Sequence, residues 1–239
     1  MLNEFIAYLE ERVKNHDIYV WGAQGEGKGV ITEAWIRKKE TSEKNAERAV
    51  ASWKKQVAAG YGEKLRAFDC SGLAMRFLMD KGLEKSDMSA NSMMGRCTPI
   101  EKEQLMPGDF VFKLEKNGRA HHVGFIVDER FNVIEAKGRD VGVVKSSLKN
   151  WDVYGRPPYF RDEKGRANRR MLSLKTPYLS GADVKELQAA LLARGYKVVK
   201  ADGVFGPITD KAVRAFQSDE KLAVDGIAGP KTLFALGIE

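Results

Sequence analysis

A short pattern that occurs twice near the end of the chain restricts its fold more than any other feature. The segment DGVFGPIT at residues 202–209 returns as DGIAGPKT at residues 225–232. Each copy joins a glycine turn to a proline and a threonine, which suit the start of a helix. Apolar residues at helical spacing precede and separate the copies: Val184, Leu187, Leu191, Ala212, Val213 and Phe216. Residues 181–239 are therefore predicted to form a small all-α domain of three helices.

The sequence before this repeat passes from helical patterns to strand-like ones. Apolar residues at four-residue spacing predict an amphipathic helix over residues 3–15, and the charged stretch 31–59 predicts one or two further helices. Another helix is predicted to begin at Cys70 and to end before Gly82. Short β-type runs occupy residues 18–21, 110–112, 123–127, 132–136 and 141–144. The last four runs indicate an antiparallel meander, and the whole pattern indicates an α+β domain.

Polar, mostly basic residues without periodicity mark the boundary between these two parts. They form the segment RDEKGRANRR at residues 161–170. We predict a first domain over residues 1–160, a basic linker over residues 161–180 and the helical domain after it.

The charge of the chain indicates an anionic partner. The 239 residues carry a formal charge of +7, which suits a nucleic acid, a membrane surface or an acidic polymer such as a bacterial wall. Charged residues, among them Glu4 and Arg12, interrupt the start of the sequence where a secretory signal needs an apolar run, and no later run reaches transmembrane length. We therefore expect a protein that is cytoplasmic when made, without signal peptide or membrane insertion.

Cys70 is the candidate nucleophile of the first domain. Unpaired N–H groups and the dipole at a helix N-terminus favour a thiolate, so we expect a lowered pKa for this cysteine. The chain contains two cysteines, Cys70 and Cys97. So few cysteines fit a reducing compartment, and a single disulfide between them is the alternative. His121 and His122, at a strand start, are better placed as general base than His16, near the end of the first helix. Because neighbours on a strand face opposite sides, only one of the pair can face the cysteine, and we favour His122.

Glu135 is the candidate to orient the imidazole of His122. If Asp128 and Glu129 form a two-residue hairpin loop, position 122 lies directly opposite position 135, and opposite residues share a face. A bulge at the turn would move Glu135 to the other face. The alternative interpretation of Glu135 is an ordinary solvated carboxylate.

Other chemistries are not indicated by the sequence. The adjacent His121 and His122 diverge on a strand, so no pair of residues has zinc-ligand spacing. Residues 25–29, GEGKG, resemble a phosphate loop in composition but lack the full Walker spacing. We expect no metal, no cofactor and no nucleic-acid partner, and we expect a monomer.

Four sequence blocks, taken in their order along the chain, resemble the NlpC/P60 family of cysteine peptidases. The blocks are YVWG at 19–22, FDCSGL at 68–73, LMPGDF at 105–110 and HVG at 122–124. The resemblance covers most of residues 16–150. It implies a papain-like α+β fold with a Cys–His–polar triad that cleaves amide bonds in peptidoglycan stem peptides, typically after D-γ-glutamyl.

The resemblance also assigns roles to individual residues. It implies Cys70 as nucleophile, His122 as base and Glu135 as the third member, a position that is more often histidine in this family. It further implies that Tyr19, Asp69 and Ser71 hold the amino end of the substrate. Trp21 and His121 are added as candidate substrate contacts, although a core position is the favoured interpretation of Trp21 and a plain strand start is the alternative for His121.

An insertion distinguishes this chain from the family pattern. The family joins the Trp-Gly block to the Cys block by a short connection, whereas residues from about 23 to 67 intervene here. We predict a helical insertion next to the cleft that shapes specificity or acts as a lid, with Trp35 and Trp53 anchoring it to the body.

The end of the chain, residues 180–237, resembles the peptidoglycan_binding_1 module, which implies wall binding by a three-helix domain. Most of the matching positions are glycine turns and apolar core residues, so they are structural before they are ligand contacts. Together the resemblances predict a D-γ-glutamyl endopeptidase, and the expected absence of a secretory signal favours a phage or prophage endolysin that a holin releases to the wall. An N-acetylmuramoyl-L-alanine amidase with the same triad is the enzyme alternative, and a non-catalytic wall-binding protein is the alternative from another class.

Overall fold

The computed structural model describes residues 1–128, 130–160 and 171–238. These form two compact units, of which the first is Met1–Phe160 and the second comprises the rest of the chain. Of the predicted linker, residues 161–170 lie outside the described residues. Residues 171–180 belong to the second unit rather than to a linker, because Leu172 is buried in its core and pairs with Ala228.

The described residues of the first unit form five α-helices and one short 3-10 helix, Lys102–Gln104. The α-helices are α1 (Leu2–Lys14), α2 (Glu33–Lys39), α3 (Glu43–Ala58), α4 (Gly72–Asp80) and α5 (Ala90–Arg96). The charged stretch thus forms two helices, because each has its own N-cap: the Thr32 hydroxyl accepts from the Trp35 N–H, and the Ser42 hydroxyl accepts from the Asn45 N–H. The sequence patterns did not predict α5.

Two sheets complete the first unit. The small one has the order β1-β3-β2 and contains β1 (Ile18–Tyr19), β2 (Gln24–Glu26) and β3 (Ala67–Phe68). The large one has the order β4-β9-β5-β6-β7-β8 and contains β4 (Thr98–Ile100), β5 (Phe110–Leu114), β6 (Ala120–Ile126), β7 (Val133–Gly138), β8 (Gly142–Ser146) and β9 (Val153–Arg156). The predicted meander corresponds to β5–β8 and is antiparallel throughout. The α+β class of this unit is confirmed.

The large sheet packs apolar side chains on both faces. Phe110 and Phe112 lie in a core cluster with α1 and α4, whereas Val111 between them lies in a second cluster with Trp151. This alternation explains why the strands are nearly continuous apolar runs, since side chains of successive strand residues point to opposite faces. Phe5 of α1 joins the first cluster, with its ring 5.6 Å from that of Phe125.

The insertion has a small core of its own. Ile36, Ala49 and Val50 from α2 and α3 are buried against Ile18 of β1 and Val20, which follows that strand. Trp35 and Trp53 pack against this cluster, which agrees with their predicted role as anchors. The insertion is therefore a packed part of the first unit.

The second unit is the predicted three-helix domain. Its helices are α6 (Ala182–Ala193), α7 (Pro207–Asp219) and α8 (Pro230–Ala235). Their apolar faces surround Phe205 and Phe216, which are fully buried. Among the residues that the structure describes, no helix has the length and apolar composition needed to cross a bilayer.

A buried glutamine explains why the eight-residue pattern occurs twice. The Gln188 side-chain amide donates to Asp202 Oδ1 at 2.9 Å and to Thr209 Oγ1 at 3.1 Å, while its oxygen accepts from the Gly203 N–H at 2.7 Å. Gln217 repeats these contacts with Asp225, Thr232 and Gly226, at 2.9, 3.1 and 2.9 Å. Each copy of the pattern is therefore a turn that satisfies one buried side-chain amide.

Candidate active site

Cys70 lies where the small sheet meets α4. Strand β3 ends at Phe68, and Asp69, Cys70 and Ser71 lead into the helix at Gly72. Asp69 organises this start: its Oδ1 accepts from the Gly72 N–H at 2.6 Å and from the Ser71 hydroxyl at 3.2 Å. Its Oδ2 accepts from the Gly22 N–H at 3.0 Å. The acid next to Cys70 thus links the helix start to the Trp-Gly loop.

The thiol of Cys70 is buried, and its burial contradicts the prediction of a lowered pKa. Burial, reinforced by the nearby charge of Asp69, raises the pKa of Cys70 to about 12, although the N–H groups of Val123 and Ser71 favour the thiolate. The expectation of a lowered pKa is therefore wrong, because the desolvation of an 8% exposed residue outweighs the helix N-terminus. Cys70 and Cys97 are both free thiols, so no disulfide joins them.

His122 and Glu135 form a hydrogen-bonded pair. His122 Nε2 lies 2.8 Å from Glu135 Oε2, and the Ser146 hydroxyl donates to Glu135 Oε1 at 2.7 Å. Glu135 is 2% exposed, which excludes the solvated-carboxylate interpretation. Burial acts to raise the pKa of Glu135, but the hydrogen bonds from His122 and Ser146 prevail, and the pKa lies below its usual value. The carboxylate is therefore ionised beside the imidazole at neutral pH.

The register between β6 and β7 differs from the prediction. Phe125 pairs with Ile134, Ile126 pairs with Val133, and the Val127 N–H donates to the Asn132 carbonyl. The two-residue hairpin loop is therefore wrong: the loop spans 128–131, of which Glu129 lies outside the described residues. The pairing is shifted by two residues, and a shift of two keeps every side chain on its face. His122 and Glu135 consequently share a face as diagonal neighbours.

Cys70 contacts the strand backbone on both sides of His122. Its Sγ lies 4.0 Å from the carbonyl oxygen of His121, and the N–H of Val123 favours its thiolate. The thiol therefore lies against the backbone of the β6 segment that carries His122. His16 lies elsewhere, with its ring 4.1 Å from that of Tyr61.

Cys70 opens onto a cavity of about 430 Å³. Four of the predicted substrate contacts line the cavity with it: Trp21, Asp69, Ser71 and His121. Trp21 is 51% exposed, so the interpretation of this residue as a core aromatic is wrong. The β1 strand ends before Trp21, and the tight turn at Gly22, with φ of +64°, follows it.

Tyr19 is buried in the same apolar cluster as Cys70. Burial raises its pKa, and the neighbouring Cys70 and Asp69 act in the same direction, so Tyr19 keeps its proton. The guanidinium of Arg139 lies 5.1 Å from the centre of its ring. Tyr19 thus packs beside the predicted nucleophile rather than on the cavity wall.

Two residues that were not predicted from the sequence, Trp151 and Ser146, support the His122–Glu135 pair. The ring of Trp151 stacks on that of His122, with centroids 5.5 Å apart and planes at 11°. The position of Ser146 results from strand pairing: it lies opposite Val133, and therefore its side chain is on the same face as that of Glu135.

Within the described part of the chain, no group of three His, Cys, Asp or Glu residues is arranged to hold a metal ion.

Comparisons with known proteins divide the chain at the same place. The NlpC/P60 family model matches residues 57–154, and the model described as "Putative peptidoglycan binding domain" matches residues 180–236. The first match leaves out the YVWG block and most of the insertion. It includes the Cys70, His122 and Glu135 positions.

Individual relatives match short parts of the chain. A spore cortex-lytic enzyme of Bacillus cereus is 53% identical over 53 residues, which cover 22% of this chain and 20% of that protein. The N-acetylmuramoyl-L-alanine amidase CwlL of Bacillus licheniformis is 48% identical over 59 residues, which cover 24% of this chain and 16% of that protein. The chain thus spans about a fifth or less of the length of these relatives.

One solved structure aligns with a longer part of the chain. The NlpC/p60 domain of the peptidoglycan hydrolase SagA is 17% identical, and the alignment covers 65% of this chain and 97% of that one with a TM-score of 0.40. The sequence blocks, the Cys70 environment and the two family matches lead to one conclusion: the chain carries an NlpC/P60 family domain followed by a peptidoglycan-binding domain.

Proposed function

We propose that the chain hydrolyses peptidoglycan, cleaving the amide between D-γ-glutamyl and the diamino acid of stem peptides with Cys70 as nucleophile. The observation that carries the proposal is a thiol at a helix start that opens onto a cavity, beside a strand whose His122 is hydrogen-bonded to buried Glu135. Nucleophile, base and orienting acid are the parts that covalent catalysis by cysteine requires.

The proposed mechanism begins with proton transfer. Because the pKa of Cys70 is raised to about 12, the thiol is protonated at neutral pH and needs a base to deliver its proton to. His122 takes that proton, and the ionised Glu135 stabilises the imidazolium that results.

The Cys70 sulfur then attacks the carbonyl carbon of the amide, and a tetrahedral oxyanion forms. Backbone N–H groups at the start of α4 are the donors available to stabilise this charge. His122 gives its proton to the leaving amine as the C–N bond breaks, which leaves a thioester on Cys70. Water, deprotonated by His122, hydrolyses the thioester and restores the thiol.

The second unit supports the choice of substrate. A peptidoglycan-binding domain on the same chain holds the hydrolase at its polymer, and the formal charge of +7 favours an anionic wall. We also propose that the enzyme serves as a phage or prophage endolysin, made in the cytoplasm and released to the wall through a holin.

Mass spectrometry of the fragments released from purified peptidoglycan tests the proposal. New amino groups on the diamino acid, released by the wild-type chain and absent with Cys70→Ala, are the expected result. Cys97→Ala is the matched control, since it removes the other free thiol. Free amines on L-alanine would instead establish an amidase. Retained wall binding without release by any variant would indicate a non-catalytic wall-binding protein.

A further inference from the structure

Glu40, which follows α2, links the insertion to the loop that carries Trp21. The Glu40 carboxylate is fully buried, with none of its side chain exposed. Its Oε1 accepts from the backbone N–H of Trp21 at 3.1 Å, and its Oε2 accepts from Arg139 Nε and Nη2 at 2.8 and 2.6 Å. A single buried carboxylate therefore joins the loop that carries Trp21 to the turn after β7.

A second residue of the insertion holds the same loop. Lys39 Nζ donates to the Gly22 carbonyl at 2.8 Å, while Asp69 accepts from the Gly22 N–H. Trp21 and Gly22 are thus fixed by three side chains, two of which belong to the insertion. Trp21 is about half exposed, so the hydrogen bonds of its loop help to set its position at the cavity.

The turn after β7 is tied to the insertion twice. Arg139 bonds Glu40 and covers the ring of Tyr19, and Arg48 of α3 donates from Nε to Asp140 Oδ1 at 2.9 Å. The pair of Glu40 and Arg139 cannot separate at low cost, because separation would leave a buried charge without its partner. This argues against an insertion that opens and closes as a lid.

We propose that the insertion is a fixed brace that holds Trp21 at the mouth of the Cys70 cavity, with Glu40 as its positioning residue. Trp21 then supplies an apolar wall for the substrate on one side of the cavity. The effect on hydrolysis rests on the proposed function, whereas the effect on the position of Trp21 does not.

Two substitutions of Glu40 and one matched control test the brace. Glu40→Ala removes both contacts, Glu40→Gln keeps the side-chain volume and an acceptor for Trp21, and Glu33→Gln changes an exposed carboxylate of the same helix pair. Hydrogen exchange of the Trp21 amide, followed by NMR in the full chain, is the direct readout. Loss of a hydrogen bond to a charged group predicts exchange faster by about tenfold or more in Glu40→Ala, with a smaller change in Glu40→Gln.

Kinetics on soluble muropeptides provide the second readout. We expect Glu40→Ala to raise KM more than it lowers kcat, with the rate of Cys70 alkylation as in the wild type, because the brace acts on substrate binding and leaves the thiol alone. Trp21 exchange equal to that of Glu33→Gln would overturn the brace, and so would an altered alkylation rate with KM unchanged. If the wild type cleaves nothing, the proposed function fails, and Trp21 exchange alone decides the brace.

Discussion

His122 and Glu135 share a 2.8 Å hydrogen bond although the sheet places them diagonally rather than opposite each other. The second carboxylate oxygen of Glu135 accepts from the Ser146 hydroxyl, and the Trp151 ring stacks on the imidazole of His122. Both members of the pair are therefore held in place by a further contact. An imidazole so oriented presents a defined nitrogen to its neighbours.

Replacing Glu135 by glutamine should abolish most of the hydrolysis. The amide removes the charge that stabilises the imidazolium and no longer selects the tautomer, an effect that costs on the order of 10⁴ in the related serine triad. We expect kcat/KM on muropeptides to fall by about 10² to 10⁴ in Glu135→Gln. Glu47→Gln, an exposed carboxylate of α3, is the control and should keep full activity. A loss below about tenfold would remove Glu135 from the proposed mechanism.

Alkylation of Cys70 should show a steep dependence on pH. Because the pKa is raised to about 12, the reactive thiolate is a small fraction throughout the neutral range. In a Cys97→Ala background we expect the rate with iodoacetamide to rise about tenfold per pH unit from about pH 6 to about pH 9. A rate that is already constant below neutral pH would show a preformed thiolate and contradict the proton-transfer step.

Gly124, in the HVG block, should not tolerate a side chain. A Cβ there would lie 2.5 Å from Val133 Cγ1 and 2.7 Å from the Trp151 ring, in the cluster that supports His122. Gly124→Ala should lower the free energy of unfolding by about 1–3 kcal/mol, as overpacking does. Gly95→Ala is the control, because nothing lies within 4 Å of its added Cβ.

Denaturant unfolding followed by tryptophan fluorescence measures this difference. All four tryptophans lie in the first unit, so the signal reports that unit alone. Equal midpoints for Gly124→Ala and Gly95→Ala would show that the cluster yields to the extra methyl group.

The two glutamine networks of the second unit should act locally. Gln217→Ala leaves the buried Gly226 N–H without its acceptor, which costs about 1–3 kcal/mol. We expect faster hydrogen exchange at Gly226 than at Gly203 in Gln217→Ala, and the reverse in Gln188→Ala. Equal acceleration at both glycines in both variants would show that the unit opens as a whole.

The sheet face on which Glu135 lies was predictable from the sequence, but the register between β6 and β7 was not. Strand alternation has a period of two, so an error of two residues in the loop left the shared face with His122 intact. The loop at residues 128–131 contains no glycine that would indicate a turn type. Its length of four residues follows from the hydrogen bond between the Val127 N–H and the Asn132 carbonyl. Local patterns also located Cys70 at a helix start, whereas its burial depends on packing that no local pattern records.

The proposed role of Glu40 could not be predicted from the sequence, for a different reason. It occurs in a stretch rich in charge, and its partner Arg139 is 99 positions away. The prediction of a core position for Trp21 was wrong for the same reason. An aromatic residue next to a buried strand is expected in the core, but here Glu40 and Lys39 hold the backbone of its loop. Long-range polar contacts thus account for the part of the candidate site that patterns did not reach.

The lowered pKa of Glu135 has a consequence for stability. Its folded-state pKa lies below the usual value of 4.5, so the folded state favours the ionised form relative to the unfolded state. The resulting stabilisation is fully present above pH 4.5 and is lost as pH falls through the folded-state pKa. Glu135→Gln cannot ionise and lacks this dependence.

The difference in the free energy of unfolding between the wild type and Glu135→Gln should therefore be largest near neutral pH and shrink on acidification below 4.5. Tryptophan fluorescence in denaturant measures it for the first unit, and Glu47→Gln provides a carboxylate without such contacts. A difference that stays constant through the acid range would mean that the bonds from His122 and Ser146 do not distinguish the ionised carboxylate from the neutral one. The imidazolium in the proposed mechanism would then lack its stabilising partner, so this equilibrium measurement tests the role of Glu135 independently of any substrate.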